Sequence, residues 1–187
     1  MQEKENVMRI LQEAKDAIKN NDSFKLKELS DQTIHTASIS QDPDNIAAAV
    51  AIYSLSKIVE RRKYQEFSGW NVFYKSILSA FDDSLNAIKK KDDKKLRESL
   101  ALTEKTISKL SGALKIYIQD VFRKAQINKA SKIYEHGISM EKTAHLLGVS
   151  LYELASYAGQ KPETYEVSLT KTMDIKSRIK LAEDMFK

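Results

Sequence analysis

Apolar residues recur every three or four positions along most of the chain, which is typical of helices that bury one face. In the first forty residues this spacing predicts helices over 3–20 and 24–40, the second capped by Ser23. Asp42 followed by Pro43 predicts the start of a third helix, since both residue types favour a helix N-terminus. The stretch IAAAVAIYSLSKIVERR is apolar on nearly every side for three turns, so we expect this helix to be central in a bundle.

A fourth helix is predicted after Gly69, and a fifth begins near Asp93. Apolar residues of the fifth helix follow alternating steps of four and three, which predicts a seam along a neighbouring helix. These positions are Leu96, Leu100, Thr103, Ile107, Leu110, Leu114, Tyr117 and Val121. Gly112 is the only breaker before Gly137. The pattern therefore predicts either a kink near Gly112 or a helix of about 44 residues whose second half projects as an arm.

One segment of the chain is repeated. AIKNNDSFKLKE at 17–28 matches AIKKKDDKKLRE at 87–98, with Ala, Ile, Lys, Asp, Lys, Leu and Glu in register. Each copy predicts a helix, a tight turn and a second helix. Two interpretations are open: an internal duplication, or a turn sequence that suits any helical hairpin.

The segment EKTAHLLGVSLYELASY at 141–157 has a glycine between two short helical runs. Ser139 and Ser150 are the predicted caps of these helices, and Leu154 and Tyr157 are expected to face inward. The spacing of Ala144, Leu147, Gly148, Val149 and Leu154 resembles the helix-turn-helix family over residues 139–158.

That resemblance implies that the exposed face of the second helix lies in the major groove of DNA. The matching positions are Ser150, Leu151, Tyr152, Ala155 and Ser156. None of them is an Arg, Lys, Gln or Asn, the usual readers of base edges.

LLGVS and the aromatic second helix resemble, more narrowly, small antitoxins whose tail grips a toxin. The resemblance implies a partner protein for the region beyond Gly159. There, the alternation over 164–169 predicts an isolated strand, and Asp174 is the predicted cap of a last helix. A lone strand requires a partner edge, from a second subunit or a bound protein.

Composition and charge narrow the possibilities. The absence of cysteine excludes disulfides and thiolate metal sites, and no apolar run approaches the ~20 residues that span a bilayer, so we expect a soluble cytoplasmic protein. The net charge is +5, and residues 86–136 alone carry +7. We therefore expect phosphate contacts from the basic residues of the arm. These are Arg123, Lys124, Lys129 and Lys132, with Ser150, Tyr152 and Ser156 of the second short helix completing the predicted nucleic-acid surface.

Catalytic motifs are missing from the sequence. No histidine has Glu three residues before it, as di-metal bundles require, and no glycine-rich phosphate loop exists, so we expect a non-enzyme without metal or cofactor. The one polar cluster on predicted helices contains Asp31 and His35, four residues apart, with Glu60 and Arg61 on the third helix. It is either a small acid/base site or, the favoured interpretation, a polar seam whose groups satisfy one another.

Together these patterns predict an all-α protein with an N-terminal up-and-down helical bundle, a long basic fifth helix, and a C-terminal helix-turn-helix module with a short strand and final helix. The predicted domains are residues 1–122 and 123–187. The leading functional hypothesis is a non-enzymatic regulator that associates with nucleic acid. We expect it to be a dimer and to bind DNA rather than RNA. The alternative is a protein–protein interaction adaptor or antitoxin-like protein that binds its partner through the C-terminal module and tail.

Overall fold

The computed structural model describes residues 4–62 and 67–160, and every regular element in these ranges is a helix. The helices are α1 (Lys4–Lys19), α2 (Ser23–Ser40), α3 (Pro43–Arg61), α4 (Trp70–Lys89), α5 (Asp93–Lys109), α6 (Gly112–Glu135), α7 (Met140–Leu147) and α8 (Leu151–Gln160). The expected all-α class is confirmed for this part of the chain. The strand predicted over 164–169 and the last helix predicted from Asp174 lie outside the described residues. None of the described helices is long and apolar enough to cross a membrane.

The caps of α2 and α3 illustrate how side chains set the helix starts. At α3, the Asp42 carboxylate accepts a hydrogen bond from the backbone N–H of Asp44 at 2.9 Å, and Pro43 is the first helical residue, as predicted. At α2 the cap is Asp22, and the predicted Ser23 is already helical. The reason is geometric: the Asp22 carboxylate reaches the N–H of Lys25 at 2.9 Å, which satisfies a donor of the first turn.

The repeated segments form turns of one geometry. In each turn the residue before the cap is left-handed, with φ of 54° at Asn21 and 57° at Lys91. The matching hydrogen bonds are Lys25 N to Asp22 Oδ1 and Lys95 N to Asp92 Oδ1, both at 2.9 Å, and Asp22 N to Ala17 O and Asp92 N to Ala87 O, at 2.9 and 3.0 Å. Each copy therefore connects two helices through the same tight turn, as the pattern predicted.

The likeness extends from the turns to two three-helix units, the first unit α1–α3 and the second unit α4–α6. α1 and α4 end 70 positions apart, α2 and α5 begin 70 apart, and α3 and α6 begin 69 apart. Across the units, α1 packs against α4 and α3 against α6, while α2 contacts α6 as α3 contacts α5. The two units differ at their third helix, because α2 and α3 pack closely whereas α5 and α6 make little contact.

Of the two alternatives predicted for the fifth helix, the continuous helix of about 44 residues is wrong and the interruption near Gly112 is what the structure has. Leu110 and Ser111 separate α5 from α6, and Gly112 is left-handed, with φ of 59°. α6 does not project as an arm; it packs against α2 and α3. Leu114 and Val121 of α6 are buried in the same cluster as apolar residues of α1–α5. The 3.5-residue spacing of apolar residues therefore arises from two successive helices that each bury one face.

Two clusters of buried residues make up the core. The main cluster draws on α1–α6, and the second joins α2 and α3 to the C-terminal half of α6 and to α7 and α8. Phe122 packs against both clusters. The predicted domain boundary after residue 122 therefore lies inside α6, between its contributions to the two clusters, and the division into domains stays a prediction.

The repeated turn generates a stability prediction. Replacing Asp22 or Asp92 with Ala removes the side-chain acceptor of the cap, and each change should lower the free energy of unfolding by about 1 kcal/mol. Urea denaturation followed by circular dichroism measures this. Gln12→Ala, at an exposed position in the middle of α1, is the control and should stay within about 0.5 kcal/mol of the original protein. Unequal losses at Asp22 and Asp92 would contradict the equivalence of the two turns.

Candidate functional site

The four cations predicted to bind phosphate all lie on α6, but they do not form one basic face. Lys124 and Lys132 are partly or fully exposed and have acidic neighbours on the same helix. Lys124 Nζ lies 2.9 Å from Asp120, and Lys132 Nζ lies 3.8 Å from Glu135. Exposed pairs of this kind are weak, so both lysines are accessible to an external anion.

Lys129 is in the interior, with no exposed surface. Its Nζ donates to Asp31 Oδ1 at 2.7 Å and lies 4.1 Å from the centroid of the Tyr53 ring. Burial lowers the pKa of Lys129, and the bond to Asp31 opposes that effect. The prediction that Lys129 contacts phosphate is therefore wrong: its ammonium group joins α6 to α2 and α3.

The predicted polar cluster is rearranged by this ion pair. The Asp31 carboxylate, expected to pair with His35, pairs with Lys129. The ring of His35 instead meets that of His136 edge to face, with centroids 5.2 Å apart. At the far end of α3, Glu60 accepts from Lys57 at 2.7 Å and Arg61 is exposed. The four predicted residues are therefore not brought together as an acid/base site.

Arg123 holds the turn between α7 and α8 against α6. Its guanidinium donates to Glu153 Oε1 at 3.0 Å and to the carbonyl oxygen of Gly148 at 3.0 Å. Gly148 ends α7 in the left-handed conformation, with φ of 62°. Arg123 thus positions α8 through these bonds, and 40% of its side chain is exposed.

Ser150 and Glu153 form a reciprocal cap at the start of α8. The Glu153 N–H donates to Ser150 Oγ at 3.1 Å, and the Ser150 N–H donates back to Glu153 Oε2 at 3.0 Å. The bonds from Arg123, and then those from Ser150, lower the pKa of Glu153 to about 2. The spacing Ser-x-x-Glu before an apolar run is the signal that could have identified Glu153, which the sequence interpretation missed.

The two sides of α8 differ sharply. Leu154 is buried against the second core cluster, and the Tyr157 hydroxyl accepts a hydrogen bond from Asn128 of α6 at 2.8 Å. On the outer side, Leu151 is 50% exposed and Tyr152 is 81% exposed, beside an exposed Ala155. We call these three residues the outer face of α8. Of the other predicted contacts, Ser150 serves as the cap and Ser156 is half-buried.

No three His, Asp or Glu side chains converge to hold a metal ion in the described ranges. Comparisons with family models, with curated proteins and with solved structures gave no match to this chain. The function is therefore argued from the site.

The ion pair gives a pair of contrasting predictions. Asp31→Asn leaves the Lys129 ammonium buried without its partner and should lower the free energy of unfolding by about 3 kcal/mol at pH 7. Lys129→Met removes the buried charge, keeps the chain length, and should cost less than about 1 kcal/mol. Chemical denaturation of both variants measures this.

The pH dependence of the stability of Asp31→Asn tests whether the buried charge of Lys129 causes the loss. The pKa of Lys129 in the folded protein lies below the ordinary lysine value of 10.5, so the folded state binds fewer protons than the unfolded state in the alkaline range. The loss of unfolding free energy in Asp31→Asn should therefore shrink as the pH rises from 7 toward 10. A deficit that is independent of pH would contradict the burial of the charge.

Glu153 gives a prediction for the acidic range. Its folded pKa of about 2 lies below the ordinary glutamate value of 4.5, so its stabilising effect is complete above about pH 4.5 and is lost as the pH falls toward 2. Glu153→Gln should therefore lower the thermal midpoint at pH 7, and the difference from the original protein should shrink below pH 4.5. Glu141→Gln on α7 is the control and should change the midpoint little at any pH.

Proposed function

We propose that this chain is a non-enzymatic adaptor that binds a partner protein through the outer face of α8. The observation that carries the proposal is the chemistry of that face: Leu151 and Tyr152 are exposed where a base-reading helix needs hydrogen-bonding side chains. Large exposed aromatic and aliphatic residues side by side are typical of protein-binding surfaces.

The framework around α8 supports this role. α7 and α8 pack against each other and against α6, with the turn at Gly148 between them. The hydrogen bond between Arg123 and Glu153 fixes the start of α8 against α6, and the buried Leu154 packs α8 onto the core. A rigid helix presents its outer side chains with little loss of conformational entropy on binding, which favours recognition by this face.

Association with nucleic acid is the second candidate. It is supported by the helix-turn-helix resemblance and by the exposure of Lys124 on α6 and Lys142 on α7. It is weakened by the internal roles of Arg123 and Lys129, because each lost phosphate contact reduces both affinity and salt dependence. On the described helices α6–α8, the remaining exposed cations give nucleic acid less support than the outer face of α8 gives a protein partner.

The test is a pull-down from native lysate, before and after nuclease treatment, with the tagged chain and two variants. Tyr152→Glu places a charge in the outer face of α8. Phe24→Glu is the matched control, because Phe24 is 79% exposed and lies at the start of α2. We expect a nuclease-resistant protein that the original chain and Phe24→Glu retain and that Tyr152→Glu loses, since burying one charge at an interface costs several kcal/mol.

A different result would favour nucleic acid. That result is capture abolished by nuclease, together with a salt-sensitive gel shift that Lys124→Glu with Lys132→Glu removes and Tyr152→Glu leaves intact. It would overturn the adaptor proposal.

A further inference from the structure

A groove of about 250 Å³ lies between α4 and α5 of the second unit. Val72, Leu102 and Leu110 supply the accessible apolar surface, above the fully buried ring of Phe73. Serine and threonine hydroxyl groups and one lysine supply the polar part. The full lining is Val72, Phe73, Ser76, Ser79, Leu102, Thr106, Lys109 and Leu110. Val72 is 70% exposed, so this end of the groove presents apolar surface to solvent.

The corresponding place in the first unit is spanned by Arg9. Its guanidinium crosses from α1 to donate to Gln32 Oε1 on α2 at 3.1 Å, and it also donates to Asn6 at 3.0 Å. The residues 70 positions later are Ser79 for Arg9, Leu102 for Gln32 and Ser76 for Asn6. The second unit thus keeps the helix pair but lacks the side chain that bridges it, and Leu102 replaces the polar acceptor.

Charge distinguishes the second groove as well. Lys109 lines it on α5, and Lys75 directly precedes the lining residue Ser76 on α4. Both lysines are exposed. Their counterparts in the first unit, 70 positions earlier, are Glu5 and Ile39, neither of which is cationic. Asp83 lies one turn beyond Ser79, toward the other end of α4. The positive charge is therefore concentrated beside Val72 and Leu110.

We propose that this groove binds one amphipathic helix of a partner protein, with an aliphatic stripe against Leu102 and acidic side chains beside Lys75 and Lys109. Small hydroxyl residues at Ser76 and Ser79 allow a second helix to approach α4 closely, and the apolar floor takes alternate turns of the ligand. The two lysines select an acidic ligand over a basic one. This surface is separate from the outer face of α8, and the proposal does not depend on the adaptor function.

The test uses two synthetic helical peptides of about 16 residues with the same leucine stripe, one bearing Glu and the other Lys at all other positions. Binding to the full chain is measured by fluorescence anisotropy. We expect saturable binding of the acidic peptide only. Lys75→Glu with Lys109→Glu should weaken it at least about tenfold, since each reversal turns an attraction into a repulsion. Lys124→Glu with Lys142→Glu makes the same change of net charge away from the groove and should alter the affinity by less than about twofold.

A second variant tests the groove itself. Ser79→Arg with Leu102→Gln copies the bridging pair of the first unit and should abolish binding, while circular dichroism reports whether the variant is folded. The charge-reversal variant keeps the test decisive if this one is unstable, because its substitutions are on the surface. No saturable binding of the acidic peptide below about 1 mM, equal binding of both peptides, or acidic-peptide binding unchanged by Lys75→Glu with Lys109→Glu would overturn the proposal. Concentration-dependent dimerisation lost in Ser79→Arg with Leu102→Gln would assign the groove to a second copy of the chain instead.

Discussion

The buried charge of Lys129 constrains how the C-terminal helices are attached to the bundle. A lysine ammonium is stable in a protein interior only with a close anion or ring face, and Asp31 and Tyr53 supply both. While Lys129 is present, α6 must place it beside α2 and α3, and the second core cluster packs the same helices together. Because Arg123 then fixes the turn before α8, the direction of α8 depends on the same placement of α6.

The two three-helix units show how one arrangement of helices acquires different surfaces. In the first unit, Arg9 bridges α1 and α2, and α3 is enclosed between α2 and α6. In the second unit the bridging arginine is replaced by Ser79, and α6 leaves its own unit to pack against α3 and to carry α7 and α8. The surfaces proposed to bind partners lie where the second unit departs from the first.

Local signals predicted much of the fold because they act over a few residues. Backbone donors within one helical turn are satisfied at the starts marked by Asp42 with Pro43, by Ser139 and by the repeated turn. The neighbouring residues are therefore sufficient to predict these helix starts. The break between α5 and α6 was harder to predict, because a regular apolar spacing arises equally from one long helix and from two helices that bury faces in succession.

The site was predicted less well, since the role of a cation depends on distant residues. Lys129 was assigned to phosphate because lysine is rarely buried, yet it lies four residues from Ala125 and from Ile133, both buried. That register marks the inner side of α6. Its partner Asp31 is 98 positions away, so no local pattern could reveal the ion pair.

The most direct measurement is nuclear magnetic resonance of the lysine side-chain nitrogens, before and after addition of duplex DNA. A buried Lys129 should give a slowly exchanging ammonium signal, lost in Lys129→Met, with a shift that DNA does not change. A Lys129 signal that exchanges as fast as that of exposed Lys124 and moves when DNA is added would contradict the burial of Lys129.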